Sequence, residues 1–399
     1  MRFCLNHFLS AVSFVLDYAE HDVFGVPLNH GKRVAYIAWR IGQRIGLGDD
    51  DIFDLVSLAI LHDIGLSKYI GNKERIADFA NYEVIQGHCV IGEQSIKKYP
   101  FLKKEQNIIL YHHEHLDGSG FFHISGQDLP LKAQIISFAD YIDTHFQADK
   151  FYGAYADRAR QRILSMRERQ YAAPLCDAFL ELSRRPCYRL DQRPENIYRC
   201  LHRGIPERTV DMSYDDLIWI TEIMSDIIDA KSRFTWRHSK GLAEKAGTMA
   251  GFYEYDSVQH TKLVIAANLH DLGKLLIPNR ILEANRALTE DEFALIQSHT
   301  YYTRQVLSQI DGFEDITEWA SNHHEKLDGS GYPYGKTAAQ LDFNSRLMGC
   351  LDIYQALTED RPYREGMPHA KAVGIMRDLA VSGRIDANIV RDVQSVFGG

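Results

Sequence analysis

The run His323-His324-Glu325-Lys326-Leu327-Asp328-Gly329-Ser330-Gly331-Tyr332-Pro333 decides how this chain is interpreted. Two adjacent imidazoles precede a loop that is too rich in glycine to continue a helix. Segments with helical apolar periodicity on either side carry further nitrogen and oxygen donors. These donors are His238, His270, Asp271, His299 and Asp352. We therefore expect seven side chains to converge in the core of one helical bundle.

The composition of this donor set predicts the kind of metal site. Seven donors exceed the needs of one tetrahedral zinc, and no cysteine is among them, so the set suits two octahedral-leaning divalent ions such as iron or manganese. Neighbouring side chains on a helix do not face the same way. The His270-Asp271 and His323-His324 pairs are therefore expected at helix ends, where both members can reach the ions.

Composition limits the class of protein. The chain has 399 residues, 45% hydrophobic and 25% charged, which is enough for two globular domains. Its net charge of −9 argues against binding of long nucleic acids, which requires a basic surplus. The six cysteines form no Cys-x-x-Cys pair, and no apolar run reaches transmembrane length, so we expect a cytoplasmic protein without membrane insertion. The apolar run from Phe8 to Leu16 is interpreted as a core helix and not as a signal peptide.

An internal repeat supplies a second donor set. Each of the seven donors has a residue of the same type between 208 and 212 positions earlier in the chain. The offset is 208 for His238 and 212 for Asp352. The repeated donors are His30, His62, Asp63, His88, His112, His113 and Asp140. Ten of the 18 histidines thus fall on donor positions, which predicts a second metal site in the first half of the chain.

The ordered motifs of the second half resemble those of the HD-GYP phosphodiesterases. The matching elements are His238, His270-Asp271-Leu272-Gly273-Lys274, His299, the run from His323 to Pro333, Asp352, Leu357-Thr358 and Arg361-Pro362-Tyr363-Arg364. One departure is Gln355, where the family has a second aspartate in Asp-x-x-Asp. Strand signals are almost absent, so we expect an all-α fold, which the resemblance specifies as two tandem HD-type helical bundles. The repeat and the proline-rich stretch after it divide the chain into an N-terminal HD-like domain (1–184), a connector with one short helix (185–212) and a catalytic HD-GYP domain (213–399). Any β-hairpin is expected only at 118–129 and 329–341.

The resemblance also implies an activity. Enzymes of this family hydrolyse cyclic di-GMP, and a subset with a preceding HD unit acts on 3′,3′-cGAMP, so a cyclic dinucleotide is the expected substrate. Asp271 is expected to bridge two metal ions, and Lys274, Arg361 and Arg364 to bind the scissile phosphate. Glu325 and Asp328 are expected either to relay a proton or to support the loop. The Gly-Tyr-Pro loop implies diguanylate cyclase (GGDEF) domains as partners.

Two further comparisons within the chain refine this expectation. Some family members carry a glutamate four residues before the first histidine and hold three metals. That place is Phe234 here and Val26 in the first copy, so two ions are expected in the second copy. The phosphate-binding places of the first copy are Leu66, Asp149 and Tyr152, none of them cationic. We therefore expect the first copy to be degenerate, binding metal in a structural or regulatory role.

Three alternatives remain open from the sequence. Another HD-type hydrolase, acting on nucleotides or guanosine tetraphosphate, shares these ligands but has no need for the Gly-Tyr-Pro loop or the paired arginines. A di-iron oxygenase can be built on the same ligand order, and oxygen dependence would distinguish it. A non-catalytic module that binds cyclic dinucleotides or cyclases would not require the complete ligand set or Lys274.

Overall fold

The computed structural model describes residues 2–25, 27–69, 82–146, 150–232, 238–360 and 365–398. The chain divides into two compact units, a first unit spanning Arg2–Asp211 and a second unit that begins at Met212. Helices dominate both units, which confirms the prediction of an all-α fold. Among the described helices, none is long and apolar enough to cross a membrane.

The helices of the first unit enclose a core rich in aromatic side chains, including Tyr36, Phe53, Phe138 and Phe179. Helix α2 (His30–Arg44) packs against α3 (Asp49–Ile60) and α5 (Leu131–His145) at the centre of this unit. Three aspartates occupy the first turn of α3, where the positive end of the helix dipole stabilises them. The helices are α1 (Leu5–Phe24), α2 (His30–Arg44), α3 (Asp49–Ile60), α4 (Tyr82–Ser95), α5 (Leu131–His145), α6 (Gly153–Met166), α7 (Ala173–Leu182), α8 (Pro186–Asp191) and α9 (Pro194–Gly204).

The segment expected to be a connector with one short helix, 185–212, contains two helices, α8 and α9, and its residues 185–211 belong to the first unit. Helix α9 corresponds to the predicted short helix. It contacts α1 and α2, and its Ile197 and Leu201 are buried. Proline is tolerated in the first helical turn, where its missing N–H is not needed, so Pro186 and Pro194 start helices here instead of breaking them.

A short strand pair lies outside the two predicted hairpins. Strand β1 (Arg2–Phe3) pairs antiparallel with β2 (Val210–Asp211). In the second unit, the expected hairpin is reduced to a bridge between Asp328 and Thr337.

The helices of the second unit repeat this arrangement, and polar caps mark several of their starts. Ser213 caps one helix, and Thr289 with Glu292 forms a reciprocal capping box on another. The helices are α10 (Tyr214–Ala230), α11 (His238–Phe252), α12 (Ser257–Leu269), α13 (Asn279–Leu282), α14 (Glu290–Leu307), α15 (Glu314–Ser321), α16 (Phe343–Thr358), α17 (His369–Val381) and α18 (Ala387–Phe397).

Close approach at one glycine in each unit brings separate helices together. A 3-10 helix, Leu272–Leu276, follows α12 and lies against α14. A Cβ built on Gly273 would overlap the carbonyl oxygen of His299, and one on Gly65 would overlap that of His88. Glycine is required at these places because any side chain would push the two segments apart.

Candidate metal centre

The seven predicted donors of the second unit lie together in its core. Three donors form one group (His238, His270 and Asp352), and three form another (His299, His323 and His324). The ligand atoms within each group lie within 4.8 Å of one another. The His270-Asp271 pair directly follows α12, and the His323-His324 pair follows α15 after one intervening residue, Asn322.

Asp271 stands between the two groups. Its Oδ2 lies 3.2 Å from His270 Nε2, and its Oδ1 lies 3.3 Å from His299 Nε2. His238 Nε2 lies 3.1 Å from Asp352 Oδ1. Each oxygen of one buried carboxylate thus faces a different group, as a bridging ligand requires.

Backbone carbonyl groups orient three of the imidazoles. The Nδ1 atoms of His270, His299 and His323 lie 2.8, 2.6 and 2.6 Å from the carbonyl oxygens three residues earlier in the chain. An Nδ1–H that donates to a carbonyl leaves the Nε2 lone pair for a metal. The three Nε2 atoms therefore point into the cluster in the form that binds a cation.

Two of the atoms that could bind a metal in this cluster lack hydrogen-bond partners. Among the described residues, His270 Nε2 and Asp271 Oδ1 are buried without one. A buried polar atom that stays unpaired costs about 1–3 kcal/mol, so native proteins rarely leave one unsatisfied. A cation bound between the two groups would satisfy both atoms, and the site therefore fits a metal centre.

The protonation of the cluster suits cation binding. Burial lowers the pKa of His323 well below its ordinary value and lowers the pKa of His324 to about 3. Burial opposes ionisation of Asp271, but His270 and Lys274 nevertheless hold its pKa well below the usual range. These imidazoles are therefore neutral and this carboxylate is ionised at neutral pH.

Within the cluster of the second unit, His238 is the histidine with a carboxylate partner at each ring nitrogen. Its Nδ1 lies 2.9 Å from Glu359 Oε2, on the side away from Asp352. Burial opposes the charged form, yet the hydrogen bonds to Asp352 and Glu359 raise the pKa of His238 to about 10. The sequence interpretation missed Glu359, because the family motif directs attention to position 355. Gln355 there donates to the same Glu359 oxygen at 3.0 Å.

The first unit builds a similar cluster from the repeated donors. His62 Nε2 lies 3.3 Å from Asp63 Oδ2, and His88 Nε2 lies 3.4 Å from Asp63 Oδ1. His30 Nε2 lies 3.4 Å from Asp140 Oδ1. Asp63 thus holds the place of Asp271. The remaining predicted donors, His112 and His113, complete the cluster.

Comparison with known proteins identifies the family. A sequence profile of the HD domain matches residues 22–174 and 222–389, which together are most of the chain. The chain belongs to the HD domain family. Both matches coincide with the two donor clusters, so each unit is an HD unit. The predicted family resemblance and the predicted pair of HD-type bundles are confirmed.

One relative of known activity is similar over both HD units, and another over less than half of the chain. The 3′3′-cGAMP-specific phosphodiesterase 1 of Vibrio cholerae is 30% identical over 389 residues, covering 94% of this chain and 90% of that protein. A cyclic di-GMP phosphodiesterase of Thermotoga maritima is 31% identical over 170 residues, covering 42% of this chain and 46% of that protein. A crystal structure of a cyclic GMP-AMP specific phosphodiesterase of V. cholerae has the same fold, with a TM-score of 0.68 and 23% identity over 100% of this chain and 98% of that one.

The predicted phosphate-binding residues of the second HD unit are described only in part. Lys274 Nζ lies 2.6 Å from Asp271 Oδ2, so its positive charge lies at the edge of the cluster. Arg361 and Arg364 lie outside the described residues, as do Phe234 and Val26. In the first HD unit, Leu66 is buried and Tyr152 is exposed, and Asp149 lies outside the described residues.

The Gly-Tyr-Pro loop packs on the cluster of the second HD unit. The Tyr332 ring lies 4.8 Å from the His324 ring, measured between centroids. The two oxygens of Glu325 accept the backbone N–H groups of Tyr334 at 2.8 Å and Lys336 at 2.9 Å. Of the two roles left open for Glu325, these bonds favour loop support over proton relay. Asp328 accepts from Ser330 N at 3.0 Å, which likewise stabilises the turn.

The first HD unit also contains a donor that sequence reasoning overlooked. Cys89 is buried directly after His88, and its Sγ lies 3.7 Å from His88 Nε2. Burial opposes ionisation of the thiol, but the neighbouring His112 and His88 lower the pKa of Cys89 to about 6. The absence of a Cys-x-x-Cys pair had directed attention away from the cysteines. Its position one residue after a predicted donor was the signal that could have revealed it.

Proposed function

We propose that the chain is a metal-dependent phosphodiesterase that hydrolyses a cyclic dinucleotide, 3′,3′-cGAMP or cyclic di-GMP, to its linear dinucleotide in bacterial second-messenger signalling. The observation that carries the proposal is the buried Asp271 carboxylate with one oxygen toward each group of three donors. The substrate class is supported by the names of the relatives, one of which is similar over both HD units.

The second HD unit is proposed to carry the chemistry. Its seven donors would hold two divalent ions, and nitrogen and oxygen donors without a thiolate favour iron or manganese. Such ions, when bound, supply Lewis-acid polarisation of the phosphodiester and a nucleophile from water at neutral pH. Asp271 would hold the pair together, and His270, His299 and His323 would ligate through Nε2.

Three cationic side chains are proposed to bind the scissile phosphate. Lys274 lies beside the bridging carboxylate, so it would be positioned to contact a phosphate oxygen and to balance charge that develops in the transition state. Arg361 and Arg364 are three residues apart in sequence, and the family resemblance assigns them the same role. Preorganised positive charge of this kind is the protein's main contribution to phosphoryl chemistry.

The first HD unit is proposed to lack hydrolytic activity. Its cluster would bind metal, but Leu66 stands where the second unit has Lys274, and a buried leucine cannot stabilise a phosphate oxygen. A structural or regulatory role follows. A cytoplasmic location and recruitment of diguanylate cyclase domains by the Gly-Tyr-Pro loop are further parts of the proposal, supported by the resemblance alone.

Product analysis tests the proposed function. The full chain, loaded with manganese or with iron under anaerobic conditions, is incubated separately with 3′,3′-cGAMP and cyclic di-GMP, and the products are separated by chromatography. We expect linear dinucleotide from at least one substrate, and no product from the Asp271→Asn variant. Turnover that requires oxygen would support an oxygenase instead. Release of phosphate from nucleotides, without cleavage of either cyclic dinucleotide, would support another HD-type phosphohydrolase.

A further inference from the structure

One of the positions at which the two HD units differ directly follows a histidine of each cluster, His88 in the first unit and His299 in the second. In the first unit, His88 is followed on α4 by Cys89, whose side chain is buried. At the same register of the second unit, His299 is followed by Thr300, whose hydroxyl donates to the Gln297 carbonyl oxygen at 3.1 Å. The threonine is thus bonded to its own helix, whereas the cysteine presents sulfur to the neighbouring imidazole.

Cys89 and three imidazoles form a group of four donors, and two distances within it are those of a tetrahedral site. The ligand atoms of His88, Cys89, His112 and His113 lie within 4.8 Å of one another. His88 Nε2 lies 3.3 Å from His112 Nε2 and 3.7 Å from Cys89 Sγ. With zinc–nitrogen bonds of about 2.1 Å and a zinc–sulfur bond of about 2.3 Å, a tetrahedron separates two nitrogens by about 3.4 Å and sulfur from nitrogen by about 3.6 Å. The two measured distances match these edges.

The orientation of His88 is also unlike that of its counterpart. His299 Nδ1 is held by a backbone carbonyl oxygen at 2.6 Å. In the part of the chain that the structure describes, the buried His88 Nδ1 has no hydrogen-bond partner. Its ring is therefore not tied to its helix in the same way, which leaves it free to adjust to an ion shared with Cys89.

The cluster of the first unit is more negatively charged than that of the second, which favours binding of a cation through Cys89. In the second unit, Lys274 Nζ lies 2.6 Å from Asp271 and balances part of the negative charge. In the first unit that place is the apolar Leu66, while a thiolate at Cys89 would add a negative charge to those of Asp63 and Asp140. An anionic cluster of this kind attracts a cation and repels a phosphodiester.

We propose that the first HD unit holds a closed zinc site in which the Cys89 thiolate, having lost its proton to solvent, binds the ion together with His88, His112 and His113. Three imidazoles and one thiolate fill a tetrahedral shell, and a full shell leaves no position for substrate. Soft sulfur also selects zinc over the iron or manganese that suits the second unit. The inference stands independently of whether the second unit hydrolyses cyclic dinucleotides.

Cobalt substitution of the full chain tests this site, because cobalt adopts the same geometry and a cobalt–thiolate bond gives a charge-transfer absorption in the near ultraviolet. Wild type, Cys89→Thr and Cys176→Ser are compared. Threonine is the residue that the second unit carries at this register, and Cys176 is a buried cysteine of the first unit outside the clusters. We expect the thiolate band in wild type and Cys176→Ser, and its loss in Cys89→Thr. Zinc content should also fall by about one ion per chain in Cys89→Thr.

Two results would overturn the proposal: a wild-type cobalt protein without the thiolate band, or a folded Cys89→Thr variant that keeps the band and the zinc. If Cys89→Thr does not fold, the zinc-loaded wild type decides the question by X-ray absorption. A sulfur neighbour at about 2.3 Å from zinc would support the site. A shell made only of nitrogen and oxygen would refute it.

Discussion

His238 Nδ1 and Glu359 Oε2 lie 2.9 Å apart. The first unit makes the equivalent contact between a histidine and a carboxylate, but with a residue at a different position of the repeat. There, His30 Nδ1 lies 2.7 Å from Asp143 Oδ2. The residue in register with Asp143 is Gln355, which is uncharged, and Glu359 follows it by one helical turn. A carboxylate therefore orients the first histidine in both units, but it comes from positions of the repeat that are four residues apart.

Removal of the Glu359 carboxylate should weaken the metal centre. A carboxylate that holds a ligating histidine contributes about 10- to 100-fold in metal affinity, so Glu359→Ala should lose affinity in that range. Manganese titration of the metal-free protein measures the effect. The double variant Gln355→Asp with Glu359→Ala restores the arrangement of the first unit and should recover much of the loss. An unchanged affinity in Glu359→Ala would show that the contact does not support the ligand.

Replacement of Asp271, the proposed bridging carboxylate, should abolish hydrolysis. Asp271→Asn keeps the size of the side chain but removes its charge, and His270→Ala removes a neighbouring donor. Both variants should hold fewer ions, because the remaining donors no longer bind two ions together. Metal analysis and product chromatography are performed on the same samples. Turnover above roughly a tenth of wild type in either variant would contradict the assignment.

Replacement of Arg361 and Arg364 by alanine should impair phosphate handling without changing metal content. Loss of a preorganised electrostatic contact typically reduces turnover on the order of 10²-fold, so a loss of this size or more is expected. Steady-state kinetics with the cyclic dinucleotide and metal analysis provide the two readouts. Unchanged kinetics would mean that both arginines are ordinary surface residues.

Changes to the first cluster should spare the chemistry. The double variant His62→Ala with Asp63→Ala should still hydrolyse substrate, because the first unit has Leu66 in the place of Lys274, the residue proposed to bind phosphate. Loss of bound metal can unfold a small helical bundle, so thermal melting must be measured beside the rate. A variant that melts like wild type but has no activity would show that the first unit takes part in hydrolysis.

Metal binding to the second unit should release protons. Because the pKa of His238 is raised to about 10, this imidazole is protonated in the metal-free protein at neutral pH and must lose its proton to ligate. Manganese affinity should therefore rise as pH increases from neutrality toward about 10, and then level off. Calorimetric titration in buffers of different ionisation enthalpy counts the protons. Glu359→Gln removes one of the two carboxylate partners and should release fewer. An affinity that is independent of pH would contradict the raised pKa.

Much of the metal centre was predictable because its donors follow the secondary structure. His270-Asp271 and His323-His324 were expected at helix ends, and both pairs do follow helices. Local periodicity and the repeat were sufficient for the all-α fold. In the connector, one short helix was predicted near residues 195–201 and is present, whereas the helix that Pro186 starts was not predicted. A proline at a helix start and a proline in a loop look alike until the packing of the following residues is known.

The sequence by itself determined the helical character of both units, the two sets of seven donors and the loss of the lysine from the first set. These features depend on residue identity and on spacing along the chain, which can be counted. Tertiary structure alone decided that Glu359 supports His238 across 121 positions, that Glu325 holds its loop, and that Cys89 lies beside the imidazoles. The physical reason is that a hydrogen bond or a metal ligand is selected by distance and direction in space. One helical turn brings residues 355 and 359 to the same face, so either position can serve the same histidine.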